Sequence, residues 1–266
     1  MKTIYFAGDS HTSGTMDVLN IELKECPYST HLANLLGYKI IGNTARGGAG
    51  NDRILNHVKE LIWECKRGKP WPDFIVVAFS EPTRFEWFIN GETQTVGLAR
   101  NDEDWQMLYD YTEETFAQTH GPGLTWTEAT EKWPERSKYT SDYLADSLRV
   151  EGIRHHQHNQ MFNLHCELMY NRIPHLFFNA HVGFDDRIAE EKRNCNFKLL
   201  GSIPLIEFGW SNRFWNVYER EDSSFVSWAQ ARGYELTPGY HVPNQGAIEF
   251  AHVLHDYIVE HGLLEI

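Results

Sequence analysis

A serine, a glycine-rich turn and a histidine stand at three separated points of this 266-residue chain, each beside a strand-like or helix-like run. Residues 2–8 read Lys-Thr-Ile-Tyr-Phe-Ala-Gly, an apolar, β-prone run that breaks at Gly8 into Asp9, Ser10, His11 and Thr12. Such a run reads as a buried strand delivering a small polar residue to its carboxyl end. In an open parallel sheet that edge is where ligands bind, which makes Ser10 a candidate nucleophile. A serine hydroxyl is weak alone and needs a base and oxyanion donors from elsewhere in the chain. The same spacing also suits an N-cap serine opening the first helix.

His241 is the matching base. It lies in Gly-Tyr-His-Val-Pro-Asn-Gln-Gly, just ahead of the last amphipathic stretch, on a loop that a doubly wound sheet can return to the edge holding Ser10. A neutral imidazole with a pKa near ~6.5 suits a base that later reprotonates a leaving group. Gly48, in the turn Asn-Thr-Ala-Arg-Gly-Gly-Ala-Gly-Asn that follows the second strand, can present its N–H at the same edge. The Ser10 N–H is its partner donor. The rival reading of this turn as a phosphate cradle fails, because it lacks the Lys-Ser/Thr of a P-loop and the G-x-G-x-x-G spacing.

Histidines elsewhere offer partial metal-ligand spacing. His155 and His158 have the i, i+3 spacing of a helical metal pair, with His165 and Cys166 following, but no H-E-x-x-H motif is present. Solvated or capping histidines are the better reading, and no metal or other cofactor is assigned. His181 follows the fourth strand, where it either lines the pocket and contacts substrate or makes a structural hydrogen bond.

The positioning elements follow from periodicity. Strands are expected at 2–8, 38–42, 73–79 and 175–180, with a fifth at 203–208. Helices are expected at 28–36 (capped by Ser29 or Thr30), from about 51 through the stripe Ile54, Leu55, Val58, Leu61 and Ile62, at 153–172, and after Pro243 to 258. Strand and helix alternating in this way predict an α/β, doubly wound parallel sheet. Residues 11–27 are turn-rich. Residues 80–150 break the rhythm as an aromatic, acidic insertion over the carboxyl edge, with short helices near 101–118 and 138–150, and 209–240 is again aromatic and loopy. The chain is expected to be a single domain, 1–266, with insertions at about 85–150 and 185–235.

Composition narrows the partners. A net charge of −13 without basic clusters excludes duplex nucleic acid. No apolar run is long enough to span a membrane, and the apolar start before Gly8 is too short for a signal sequence. The four cysteines are widely spaced, as free thiols of a reducing compartment are. A cytoplasmic location is expected.

Gly8-Asp9-Ser10 after the first strand, Asn43 with Gly48-x-x-Asn51 after the second, and His241 ahead of Pro243-Asn244-x-Gly246 together resemble the SGNH (GDSL-type) hydrolases. The resemblance covers roughly 1–90 and 174–262. The turn at 45–54 and the later Ser-Glu-Pro-Thr-Arg-Phe-Glu-Trp look like the branch of this family common in phage genomes, which would allow a virion-associated protein. The family implies a three-layer α/β/α, flavodoxin-like fold of about five parallel strands. It also implies hydrolysis of esters, often acetyl groups on sugars or lipids. By carry-over, Ser10 is the nucleophile, His241 the base, and the N–H groups of Ser10 and Gly48 the oxyanion donors. Asn51, Ser80, Thr83, Arg84 and His181 complete the expected oxyanion and substrate-binding set, and Asp9 adjoins the nucleophile.

Two departures stand out. The family places an Asp three residues before the histidine, where this chain has Pro238, so the orienting carboxylate is absent or comes from elsewhere, Glu235 and Asp222 being candidates. After the third strand the family brings an Asn, where this chain has Ser80-Glu81-Pro82-Thr83-Arg84. Ser80 or Thr83 could donate instead. Arg84 could bind an anionic substrate, but a pairing with Glu81 or Glu86 is favoured. The expected function is a serine esterase acting on a small-molecule or carbohydrate ester. The competing reading is a non-catalytic carbohydrate-binding or phage particle-assembly protein on the same scaffold, and a third is a metal hydrolase using the His-rich segment.

Overall fold

The computed structural model describes residues 1–16, 21–22, 27–80, 84–89, 92–97, 147–181, 211–215, 224–237 and 241–265. In chain order the elements are β1 (Thr3–Ala7), a one-turn helix α1 (Ser10–Ser13), short strands β2 (Thr15–Met16) and β3 (Ile21–Glu22), α2 (Tyr28–Leu36), β4 (Lys39–Asn43), α3 (Asn51–Lys66) and β5 (Phe74–Phe79). There follow β6 (Arg84–Ile89), β7 (Glu92–Gly97), α4 (Ser147–Tyr170), β8 (His175–Asn179), a 3₁₀ turn at Ser211–Arg213, α5 (Phe225–Ala231) and α6 (Asn244–Glu260).

The main sheet has the order β4-β1-β5-β8, with every pair parallel. Counted among the sheet's own strands this is second-first-third-fourth, the flavodoxin-like winding. Strand composition explains the placement. β5 (Phe-Ile-Val-Val-Ala-Phe) is buried at every position, as a central parallel strand covered on both faces must be. β4 alternates between exposed and half-buried, as an edge strand does. The expected fifth strand at 203–208 lies outside the described residues. Beyond β8, Phe214 forms a single parallel bridge to Phe177, and the Trp215 N–H donates to the Phe177 carbonyl at 2.8 Å.

Alternate strand residues feed two cores, which gives the three layers. Ile4, Phe6, Phe74, Val76, Leu176 and Phe178 face α2, α5 and α6. Tyr5, Ala7, Ile75, Val77, Phe79 and Phe177 face α3 and α4. Full burial of each large apolar side chain contributes about 1.5–3 kcal/mol before entropy is counted. The stripe Ile54, Leu55, Val58, Leu61 and Ile62 is buried as its spacing predicts, and α4 buries Met161, Leu164 and Leu168 at the same period.

Four local expectations change. Pro27, not Ser29 or Thr30, is the N-cap of α2, because the Ser29 hydroxyl is buried and donates to the Thr12 carbonyl at 2.9 Å. The helix expected at 153–172 begins earlier, at Ser147. Inside the stretch read as an irregular insertion, β6 and β7 form an antiparallel hairpin in the register Arg84↔Gly97 to Ile89↔Glu92. Inside the loopy 209–240 stretch lies α5, closed by a Ser224/Ser227 capping box that its seven residues need because so short a helix has little propensity of its own. The short helix expected near 101–118 falls outside the described residues, as does 138–146 of the one expected near 138–150, while 147–150 belong to α4.

Candidate active site

β1 is a central strand whose carboxyl end opens at the crevice beside β5, the switch point of this winding, where α/β sheets bind ligands. The chain turns sharply there. A Cβ on Gly8 would stand 2.2 Å from Thr12 Oγ1 and 3.1 Å from the Ala78 Cβ, so only glycine lets α1 fold back on the strand. Asp9, fully buried, is the N-cap of α1: its Oδ1 accepts from the His11 N–H at 3.0 Å, while its carbonyl accepts from Thr12 and Ser13. Ser10 is therefore the first helical residue and not the cap. Thr12 Oγ1 and the Tyr28 hydroxyl are 2.9 Å apart and tie this turn to α2.

A histidine cluster surrounds the turn. His181, just past β8, brings Nε2 to 2.7 Å from Asp9 Oδ2, an ion-pair distance lying off the line of a hydrogen bond. The His11 ring packs edge-on to His181 at 4.5 Å, tilted against His241 at 4.7 Å, and edge-on to Phe225 at 5.5 Å. The His241 backbone is held by Thr237, whose Oγ1 accepts from the His241 N–H at 3.2 Å and whose own N–H donates to the His241 carbonyl at 2.9 Å. His11 thus links the Ser10 turn to His241. Among the described residues no hydrogen bond engages the Ser10 hydroxyl, and the cap on α1 takes the His11 N–H rather than that of Ser10.

The second block arrives beside β1. The Thr44 N–H donates to the Phe6 carbonyl at 3.0 Å and the Arg46 N–H to the Gly8 carbonyl at 3.2 Å, carrying the pairing past β4 to the Ser10 turn. Gly48 follows with φ +71°, and no atom of the described residues lies within 4 Å of where its Cβ would be. Its conformation favours glycine.

Asn51 and Ser80 face each other. Asn51 Oδ1 accepts from the Ser80 N–H at 2.7 Å, and its Nδ2 donates to the Ser80 carbonyl at 3.1 Å and to Gln157 Oε1 at 3.2 Å. The Asn51 amide is a buried latch between α3, the end of β5 and α4. Arg84 opens β6, whereas Thr83, Glu81, Asp222 and Pro238 lie outside the described residues. Glu235 is exposed and forms no ion pair among the described residues. Among the described residues, the carboxylate that reaches the His181 ring is Asp9.

The His-rich helix resolves differently. His165 Nδ1 stands 2.8 Å from His175 Nε2, and His175 Nδ1 donates to the Ile173 carbonyl at 2.9 Å. Burial pushes His165 down to about 4, with the Arg213 charge assisting. Burial likewise pushes His175 down to about 3, against the Ile173 hydrogen bond. This neutral pair sits at the opposite end of β8 from His181. Among the described residues no group of three His, Cys, Asp or Glu side chains is arranged to hold a metal. No helix among them is long and apolar enough to cross a membrane.

Sequence reasoning placed Ser10, Gly48, His181 and His241 at one edge but passed over His11. Its adjacency to Ser10 was the available signal. Its contacts with His181 and His241 depend on residues about 170 and 230 positions away, which no local pattern encodes.

No family model matches this chain. No curated protein matches it either. Among solved structures it is similar to the lipase Lip_vut3 from a goat rumen metagenome, at 14% identity and a TM-score of 0.38, over 100% of both chains.

Proposed function

We propose that this protein is a serine esterase of SGNH type, acting through Ser10 and His241. The observation that carries the reading is Ser10 at the first position of α1, on the carboxyl end of β1 at the sheet's switch point, with His241 packed on the neighbouring His11. In this reading Ser10 Oγ attacks the ester carbonyl as His241 accepts its proton. The tetrahedral oxyanion takes hydrogen bonds from the N–H groups of Ser10 and Gly48, the first of which opens a helix and adds its dipole. His241 then protonates the departing alkoxide, and water releases the acyl group by the same steps. An O-acetyl group on a carbohydrate is the proposed substrate, in keeping with the family resemblance. Asn51 supports this site from behind through its latch on Ser80, and His181 borders it.

The test is covalent labelling by a fluorophosphonate probe, read by intact mass in wild type, Ser10→Ala and His241→Ala. One adduct on the wild type, absent from both variants, is the expected result. Absence of any wild-type adduct overturns the reading. It would favour a non-catalytic binding protein on this scaffold.

A further inference from the structure

We infer that Tyr28 is a positioning residue that holds the turn bearing Ser10 in place through Thr12. The catalytic consequence of that hold rests on the esterase reading, while the hold itself does not. Ser10 stands on a helix of four residues, a single turn. So short a helix is not stable by its own hydrogen bonds and must be fixed from outside. The fixing contacts converge on Thr12. Its Oγ1 shares a hydrogen bond with the Tyr28 hydroxyl at 2.9 Å, and its carbonyl accepts from the Ser29 hydroxyl at 2.9 Å and from Asn43 Nδ2 at 3.3 Å. The start of α2 and the end of β4 thereby grip one residue of the turn. Two positions along a helix are a rotation of about 200°, which puts Thr12 on the opposite side of the turn from Ser10. Thr12 and Tyr28 are both sealed from solvent, so the grip acts from behind the nucleophile.

Tyr28 is the rigid end of this grip. Its ring stands edge-on to Phe6, Phe178, Phe225 and Phe250, with centroids 5.4 to 6.4 Å away, from β1, β8, α5 and α6. A ring locked among four others has few rotamers open to it, so its hydroxyl is a fixed point. Burial pushes that hydroxyl well up from its usual value, with the Asp9 charge adding to the rise against the Thr12 hydrogen bond. It therefore stays neutral and serves as a hydrogen-bonding group rather than a base. Its surroundings are the apolar core cluster under α2, α5 and α6. A buried hydroxyl left without a partner there is costly, which favours the one placement of α1 in which Thr12 meets it. The aromatic core thus sets the position of the catalytic turn through a single polar contact.

The experiment compares wild type, Tyr28→Phe, Thr12→Val, Thr12→Ser and the double variant Tyr28→Phe/Thr12→Val. One readout is kcat and KM for 4-nitrophenyl acetate. The other is amide hydrogen exchange at Thr12, Ser13 and Gly14, whose N–H groups donate to the Asp9 and Ser10 carbonyls, set against the amides of β5. Tyr28→Phe removes one oxygen and keeps the ring packing. It is expected to lower kcat about 10-fold with KM little changed, short of the ~100-fold that an ångström of misplacement can cost. Its α1 amides should exchange faster while those of β5 keep their protection. Thr12→Val should behave alike, and Thr12→Ser, which keeps the hydroxyl, should retain most of kcat. Because the two hydroxyls form one contact, the double variant should be no worse than the poorer single one. Wild-type kcat and exchange in Tyr28→Phe overturn the inference, as does a double variant that loses the product of the two single effects. Equal loss of protection in α1 and β5 also overturns it, since that marks a general loss of stability. If the wild type neither turns over nor takes the fluorophosphonate label, the esterase reading fails. Exchange of the α1 amides in Tyr28→Phe then decides by itself whether Tyr28 holds the turn.

Discussion

Gly8 and Gly48 border the same edge for opposite steric reasons, and the difference separates fold from site. At Gly8 a methyl group would meet Thr12 Oγ1 at 2.2 Å and the Thr12 Cβ at 2.8 Å, inside the turn that carries Ser10. Gly8→Ala should destabilise the protein by about 1–3 kcal/mol, the usual cost of overpacking, and displace α1 so that Ser10 no longer takes the label. At Gly48 no described residue stands near the Cβ position, and the penalty there is the positive φ of 71°. Gly48→Ala should cost about 1–2 kcal/mol while keeping its N–H and its labelling. Denaturant unfolding beside fluorophosphonate labelling checks both, and equal labelling in the two variants would contradict the assignment of Gly8 as the turn's hinge. Ser10 was legible from the strand-like run before it, whereas its status as first helical residue depended on Asp9 turning its carboxylate back to His11. A sequence window contains both residues but not that choice between two adjacent caps.

At the level of elements, strands and long helices were legible wherever their composition was uniform, as in the all-apolar β5 or the stripe on α3. The hairpin of β6 and β7 and the short α5 were not. Their stability comes from pairing and packing partners rather than from their own periodicity, as when Phe225 stacks on Phe250 of α6 at 4.2 Å. Asn51 shows how three elements are joined at one buried point. Its amide oxygen satisfies the Ser80 N–H where β5 ends, and its amide nitrogen serves the Ser80 carbonyl and Gln157 of α4. Asn51→Ala leaves the buried Ser80 N–H without that acceptor and should destabilise the protein by about 1–3 kcal/mol. Asn51→Asp keeps the acceptor but sets a carboxylate oxygen against the Ser80 carbonyl, and should be no better. Chemical denaturation of both variants measures this, and an Asn51→Ala protein as stable as wild type would show that the latch carries no net stability.

Across the whole molecule the two ends of the sheet use histidine in opposite ways. At the carboxyl end the His11 ring packs against both His181 and His241, and His181 reaches the buried Asp9 carboxylate. At the amino end, His165 and His175 form a neutral pair beside Arg213, whose guanidinium donates to the carbonyls of Leu263 at 2.5 Å and Glu265 at 2.7 Å and so fastens the end of the chain. The overall winding followed from strand and helix alternation. The two clusters did not, because each joins residues that only the finished sheet order brings together. The amino-end pair predicts how stability responds to acid. In the unfolded chain both imidazoles take up protons below pH ~6.5. In the folded protein burial holds them neutral until about 4 for His165 and about 3 for His175. Between these limits the unfolded state binds more protons, so stability is complete above pH ~6.5 and is lost as pH falls toward 4. His175, the more deeply buried, should alone account for a loss on the order of 3 kcal/mol by pH 4. His175→Gln keeps an amide that can meet both Ile173 and His165 but cannot titrate. Denaturant unfolding of wild type and His175→Gln across pH 7 to 4 should show the variant weaker at neutral pH and flatter in its decline, with the two curves converging near pH 4. Parallel curves would place the acid sensitivity in the carboxylates instead.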